Sequence, residues 1–273
     1  MPEPFCSWTM KNGAEEGNTR HAKNSLVISP ERDIPLLRQV RNSKFIAHQQ
    51  LFEFMKLCGQ EHSRASFDWR IRRLVKFGGI AVCPDIQDSG AAVYRITKSG
   101  LSLLEHFGHA SIVLSSETLH LPHPTHAFHA LGLNAIQLAL TRANLVASWQ
   151  SEIEVAAFNM ISNSPFQKDY DAIVEVWVGD RTERFALEYE RTLKNATRYD
   201  QVRAALRAER ELHCILYLTS GLELVAPLVQ ELGDVNKRVG FAALRDFERD
   251  LLDTIVFSCR GAAMVKFSDL LNG

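Results

Sequence analysis

The sequence contains no apolar run approaching the roughly 20 residues that a bilayer-spanning helix needs. Its opening stretch, MPEPFCSWTMKNGAEEGNTR, lacks the basic start and apolar segment of a secretion signal. A cytoplasmic protein with no membrane partner is therefore expected. Cysteine is sparse and unpatterned: Cys6, Cys58, Cys83, Cys214 and Cys259 are odd in number and form no C-x-x-C pair. That argues against a disulfide framework or a cysteine zinc site. Neither charge sign is in excess, with 31 Lys and Arg against 32 Asp and Glu. The chain as a whole is not a polycation, so any nucleic-acid contact must come from a local patch. No internal repeat or low-complexity tract is evident.

What is present is ordinary globular composition, 46% hydrophobic and 23% charged over 273 residues, enough chain for two domains. Residues 1–30 are polar and rich in Gly, Asn and Glu, and read as a flexible arm. Residues 31–108 form a first unit, 109–128 a linker and 129–273 a second unit.

In the first unit, Ser29-Pro30-Glu31-Arg32-Asp33 reads as a helix start, with Ile34, Leu36, Leu37 and Val40 following at helical spacing. A second helix begins near Ala47, turns Leu51, Phe54, Met55 and Cys58 inward, and stops at Gly59. Ser63 can cap a third helix whose stripe is Phe67, Ile71, Leu74 and Val75. A short strand near residues 80–83, a polar turn at 85–90, the strand AAVYRIT and a helix over 98–107 complete the unit. Three helices followed by a β-ribbon is the order of a winged helix-turn-helix. The third helix carries Arg64, Arg70, Arg72, Arg73 and Lys76 against a single Asp68, all off the apolar stripe. A solvent-exposed cationic face is expected there, suited to the major groove of double-stranded DNA, with Arg95 beside it on the ribbon. A charged helix face often touches nothing. The ribbon and the stretch YRITKSG favour DNA binding, and a winged domain used only for protein contacts is the alternative.

The linker region carries His109, His120, His123 and His126, and His129 follows. Histidine is a common metal ligand, but Pro122 and Pro124 interrupt any helix there, so regular spacing does not give a shared face. His120 and His123 read as solvated. His126 and His129 stand at the mouth of the next helix.

In the second unit the pattern gives a helix over 134–145, a strand over 153–158, a β-hairpin, a basic helix over 195–206, a buried strand HCILYLT, a helix over 222–232 and a strand over 239–244. The order α-β-β-β-α-β-α-β implies a mixed sheet flanked by helices, of the α+β or α/β class. The hairpin reads DAIVEVWVGDRTERFALEYE. Alternation puts Asp171, Glu175, Glu188 and Glu190 on one face and the apolar set on the other. A two-residue turn at Gly179-Asp180 places Asp171 opposite Glu188; a four-residue loop would place it opposite Glu190. Like charges opposite one another repel, so the cluster implies a bound cation, protonation or plain solvent exposure.

The second unit resembles the PD-(D/E)xK nuclease fold, a helix, three meandering strands, a helix and a fourth strand. That resemblance implies Asp171 as the lone acidic residue and Glu188 as the acidic member of the triplet. Glu190 stands where Lys is expected, and Tyr170 where a Pro often precedes the Asp. Residues 31 to about 245 also resemble the replication-relaxation family of mobile elements and MobC-type plasmid relaxases, in the stretches ERDIPLLRQV, SRASFDWRIRRLVKFG, YRITKSG, HALGLNAIQLAL and FALEYERTLKNATRY. That family implies an acidic-x-acidic triplet. The resemblance further implies Mg²⁺ or Mn²⁺ held by Asp171, Glu188 and Glu190, with Lys194 or Arg191 replacing the triplet lysine. Glu152, His129 and Glu175 are further candidates. Tyr170, Tyr189 and Tyr199 could in principle act as nucleophiles, although alternation puts Tyr189 on the apolar face.

Three functions follow as expectations. One is a metal-dependent nickase or relaxase acting at a plasmid or mobile-element origin, on double-stranded DNA and on single-stranded DNA at the nick. A second is an inactive winged-helix regulator using the nuclease-like domain to form a homodimer or bind a partner. The third is a defence-system nuclease.

Overall fold

The structure is a computed structural model that describes residues 28–88, 90–109, 123–163, 165–233, 235–258 and 263–273. Most of the expected N-terminal arm, with Cys6, His120 and Cys259, lies outside the described residues. The chain divides into two compact units, the second beginning at Thr125. Among the described residues no helix is long and apolar enough to cross a membrane.

The first unit contains α1 (Pro30–Ser43), β1 (Ile46–Ala47), α2 (His48–Leu57), α3 (Arg64–Lys76), β2 (Ile80–Asp88), β3 (Ala91–Ile96) and α4 (Lys98–His106). Its three strands pair antiparallel in the order β1-β3-β2. Helix boundaries follow local chemistry. Pro30 enters α1, where the missing N–H costs nothing. The Ser63 hydroxyl accepts from Ser66 N–H at 3.1 Å and Thr97 accepts from Gly100 N–H at 3.1 Å, each satisfying a free amide. The ribbon is longer than expected. Pro84, which has no N–H to give the ladder, falls where the register shifts between Val82 and Gln87, and pairing resumes through Asp88.

The cationic face of α3 is only partly as expected. Arg70 is 4% exposed and points inward, donating to Asp33 at 3.0 Å and Glu61 at 3.2 Å. Arg73 also pairs with Asp33, and Arg32 reaches Glu61 at 2.8 Å. These side chains tie α1, α3 and the turn between α2 and α3 together; Arg70 is removed from the DNA-facing set, and Arg73 is largely committed to Asp33. The cause is Asp33, itself fully buried, which draws the guanidinium groups in because an unpaired buried carboxylate is costly. Arg72, Lys76 and Trp69 remain exposed on α3. Arg64 is exposed but engages Asp68 and Gln49, and Arg95 is half-buried.

The second unit contains α5 (Pro124–Arg142), β4 (Val146–Ser151), α6 (Glu152–Ile161), β5 (Ala172–Val178), β6 (Arg181–Glu190), α7 (Ala196–Ala208), β7 (Cys214–Thr219), a 3-10 turn (Leu222–Leu224), α8 (Val225–Leu232), β8 (Arg238–Ala243), α9 (Leu244–Asp250), a 3-10 turn (Leu251–Asp253), β9 (Ile255–Ser258), β10 (Ala263–Lys266) and α10 (Phe267–Asn272). The fold is mixed α+β. Its seven-stranded sheet has the order β10-β9-β8-β7-β6-β5-β4, with β6, β7 and β8 parallel and the remaining pairs antiparallel.

The strand expected over 153–158 is a helix, α6, and the first strand of the meander is β4. The alternating apolar residues of EIEVAAF suggested a strand, but Glu154 accepts from Ser151 N–H at 3.0 Å and Ser151 Oγ at 2.8 Å. That reciprocal cap starts a helix there. Also unanticipated are β9, β10, α9 and α10.

The row Ile173, Ala186, Ile215 and Val239 runs across four strands on one face. It packs under Tyr199, Val202 and Leu206 of α7 and Leu228 and Leu232 of α8. The opposite face meets α10, where Phe267 lies edge-on to Phe185 at 5.0 Å. It also meets α5, where a Cβ on Gly132 would stand 2.2 Å from the Tyr189 ring. Glycine at 132 lets the helix settle directly on that ring.

Candidate active site

The hairpin closes through a two-residue turn, with Val178 paired to Arg181 and Ala172 to Leu187. Gly179 has φ +63°, the sign a tight hairpin turn of this length needs at its first central position. Continued by one residue, this register sets Asp171 opposite Glu188. Because β6, β7 and β8 run parallel, Glu188 and Glu190 stand at the carboxyl end of β6, where open α/β sheets commonly bind ligands.

Sheet and helices cover both sides of β6 from Phe185 onward. Glu188 is 4% and Glu190 5% exposed, so plain solvent exposure does not explain the acidic cluster. Buried carboxylates require compensation, and each has a cation. Lys168 Nζ donates to Glu188 at 2.5 Å. Lys194 Nζ donates to Glu190 one helical turn's spacing away in sequence. His129 Nε2 meets Asp171 Oδ1 at 3.1 Å, and Tyr189 N–H donates to Asp171 Oδ2 at 2.7 Å. His129 is set in place by stacking on the Tyr189 ring, 5.5 Å between centroids.

These contacts push the two facing carboxyls apart in acidity. Burial pushes Glu188 up to about 7, and the negative charge of Asp171 adds to this against the pull of Lys168 and Lys194. Burial also works against Asp171 ionising, but His129, the Tyr189 amide and Lys168 outweigh it and hold Asp171 below its ordinary range. Burial would lower His129, yet Asp171, Glu152 and Glu188 raise it. Lys194 is likewise raised by Glu190, Glu188 and Asp171 against the effect of its burial.

Asp171, Glu188, Glu190, Lys194 and His129 are thus brought together, with Glu152 close enough to act on His129. Glu175 is not part of the group; it sits farther along β5, accepting from Ser148 at 3.0 Å and Arg184 at 3.1 Å. Arg191 turns toward α5, donating to Thr125 O at 3.3 Å and lying over Phe128. His126 is exposed on α5. The Tyr170 hydroxyl donates to Glu209 at 3.2 Å and burial with nearby carboxylates raises its pKa, which disfavours a nucleophilic phenolate. Tyr199 OH accepts from Lys194 N–H at 3.1 Å.

Two members escaped sequence reasoning. Lys168 precedes β5 in an irregular segment, so no strand period fixes its direction. Tyr217 is the polar aromatic within HCILYLT, and it sits beside Glu188 in the β6–β7 register.

No group of three or more His, Cys, Asp or Glu among the described residues is arranged to hold a metal ion. The donor chemistry still suits a hard divalent cation. Mg²⁺ commonly takes only one or two carboxylates and keeps several waters, and Asp171 and Glu188 are the facing carboxylates that could hold it in place of their present partners. The Tyr217 hydroxyl, buried and without a hydrogen-bond partner among the described residues, leaves a polar atom for such a water.

Comparison of the chain with protein families, curated proteins and solved structures finds no match.

Proposed function

We propose that the protein is a DNA-binding, metal-dependent nuclease, a nickase whose second unit cuts the phosphodiester backbone. The carrying observation is the buried convergence of Asp171 and Glu188, with Lys168 and Lys194, at the carboxyl end of β6. The order α5, β4, β5, β6, α7, β7 supports a PD-(D/E)xK reading, with α6 as an insertion in the meander. The order α1 to β3 supports a winged helix, and Arg72, Lys76 and Trp69 offer it an exposed face for DNA. A plasmid or mobile-element origin is the target this reading favours.

In this mechanism Asp171 and Glu188 would hold Mg²⁺ or Mn²⁺, which supplies charge at the scissile phosphate and acidifies its bound water. Asp171, kept ionised by His129 and the Tyr189 amide, is the constant ligand. Glu188, whose carboxyl burial and Asp171 push up in the metal-free site, would have to release its proton to take the cation, so metal binding there is linked to pH. Lys168 supplies beside Glu188 the positive charge that Glu190 cannot. Lys194 neutralises Glu190 and keeps a third negative charge from repelling the phosphodiester.

One observation favours a second reading, a DNA-binding regulator without chemistry: every carboxylate of the cluster already has an internal cation. A single experiment separates the two. Supercoiled plasmid is incubated with the protein and Mg²⁺ or Mn²⁺, alongside Asp171→Ala and Glu188→Ala. Metal-dependent nicking that both substitutions abolish supports the nuclease. Binding without nicking, unchanged by either, establishes the regulator.

A further inference from the structure

The second unit buries several tyrosines in the layer between the sheet and α7 and α8, and their hydroxyls differ in one respect. Tyr170 donates to Glu209 and Tyr199 accepts from the Lys194 amide. The Tyr217 hydroxyl has no partner among the described residues, although the side chain is only 1% exposed. A buried hydroxyl without a hydrogen bond carries an uncompensated desolvation cost. Phenylalanine would fill the same strand position without that cost, and the neighbouring Phe241 shows that a plain ring suits this layer.

The direction of the hydroxyl is fixed by the fold. Parallel pairing sets Tyr217 beside Glu188 and Phe241 beside Tyr217, all on the face that carries the acidic cluster. The Tyr217 ring stacks on Phe241 with centroids 5.4 Å apart and an interplanar angle of 20°. Its hydroxyl lies in the field of Glu188, Glu190, Tyr170 and Asp171.

We infer that Tyr217 is a positioning residue of the acidic site, its phenolic O–H donating to the water that a divalent cation brings in beside Glu188. The inference rests on the nuclease reading and adds a residue to it. Burial and the surrounding carboxylates raise this phenol well above its ordinary range, so it remains a donor and does not serve as a phenolate nucleophile.

The test is Tyr217→Phe in the full chain, followed by thermal unfolding with and without Mn²⁺ and by plasmid nicking. The expected metal-free variant unfolds at the wild-type temperature or above, because only an unpaired hydroxyl is lost. Its Mn²⁺-induced rise in unfolding temperature is smaller than that of wild type, and its nicking rate falls at least about tenfold. Wild-type nicking and a wild-type Mn²⁺ shift in the variant would overturn the inference and leave the nuclease reading standing. A metal-free variant that is less stable, with its Mn²⁺ shift intact, would make the hydroxyl a structural group and overturn the inference as well. A wild-type protein that neither nicks nor responds to Mn²⁺ or Mg²⁺ removes the nuclease reading and this inference together.

Discussion

Lys168 lies three positions before Asp171 in the chain, yet its ammonium sits 2.5 Å from Glu188 on the neighbouring strand. One loop thus delivers both a carboxylate and a cation to the same place. On the nuclease reading, Lys168→Met should lower metal-dependent nicking at least about tenfold, because a positive charge beside the proposed reacting phosphate is lost. Lys168→Arg should retain part of the rate. The Met variant should also shift the pH–rate profile upward, since Glu188 loses the cation that favours its ionised form. Plasmid nicking from pH 6 to 9 reads both effects, and an unchanged rate and profile would remove Lys168 from the site.

The acidity of Glu188 gives a stability signature independent of activity. Its folded pKa of about 7 lies above the ordinary 4.5. Between those values the folded state holds a proton that the unfolded state has released, so stability falls as pH rises. The stability of wild type relative to Glu188→Gln should be flat below pH 4.5, decline by about 1.4 kcal/mol per pH unit toward pH 7, and be flat again above it. Urea unfolding across that range measures it, and a difference that rises with pH contradicts the assignment.

Arg70 is a structural residue of the first unit. Arg70→Ala leaves Asp33 to Arg73 and Glu61 to Arg32, and should destabilise that unit by about 1–3 kcal/mol, the usual cost of removing one buried hydrogen-bonding partner. Arg72→Ala and Lys76→Ala should leave stability within about 0.5 kcal/mol and, on the DNA-binding reading, weaken DNA binding and each lower its salt dependence. Denaturant unfolding and filter binding over a salt series distinguish the two classes. An Arg70→Ala protein as stable as wild type would show that the buried Arg70 pairs do not hold the unit together.

Gly132 couples packing to the site. A Cβ there would stand 2.2 Å from the Tyr189 ring. Gly132→Ala should cost about 1–3 kcal/mol from overpacking, and by shifting the Tyr189 ring it should loosen His129 from Asp171. An NMR titration should then show the His129 pKa falling toward or below its ordinary value of 6.5, as burial loses its counterweight. A His129 titration identical to wild type would show that the stack does not position the imidazole.

Much of the architecture was legible locally. The stripe Phe67, Ile71 and Leu74, the cap Ser63 and the turn at Gly179 are statements about neighbours in the chain, and all appear in the structure. Residues 153–158 misled because apolar alternation and a helix cap both fit them, and the cap prevailed. The C-terminal strands β9 and β10 are only four residues each and gave little periodic signal.

The sequence by itself determined the hairpin, and hence that Asp171, Glu188 and Glu190 gather at one end of it, because strand alternation is a property of the backbone; which of two registers it takes was decided by the folded turn. Tertiary structure decided that the glutamates are buried, that Lys168, Lys194 and His129 answer them, and that Arg70 turns inward. Those outcomes depend on which elements cover each face. Burial raises the cost of an uncompensated charge, and only the packed chain determines which distant side chains come close enough to compensate it.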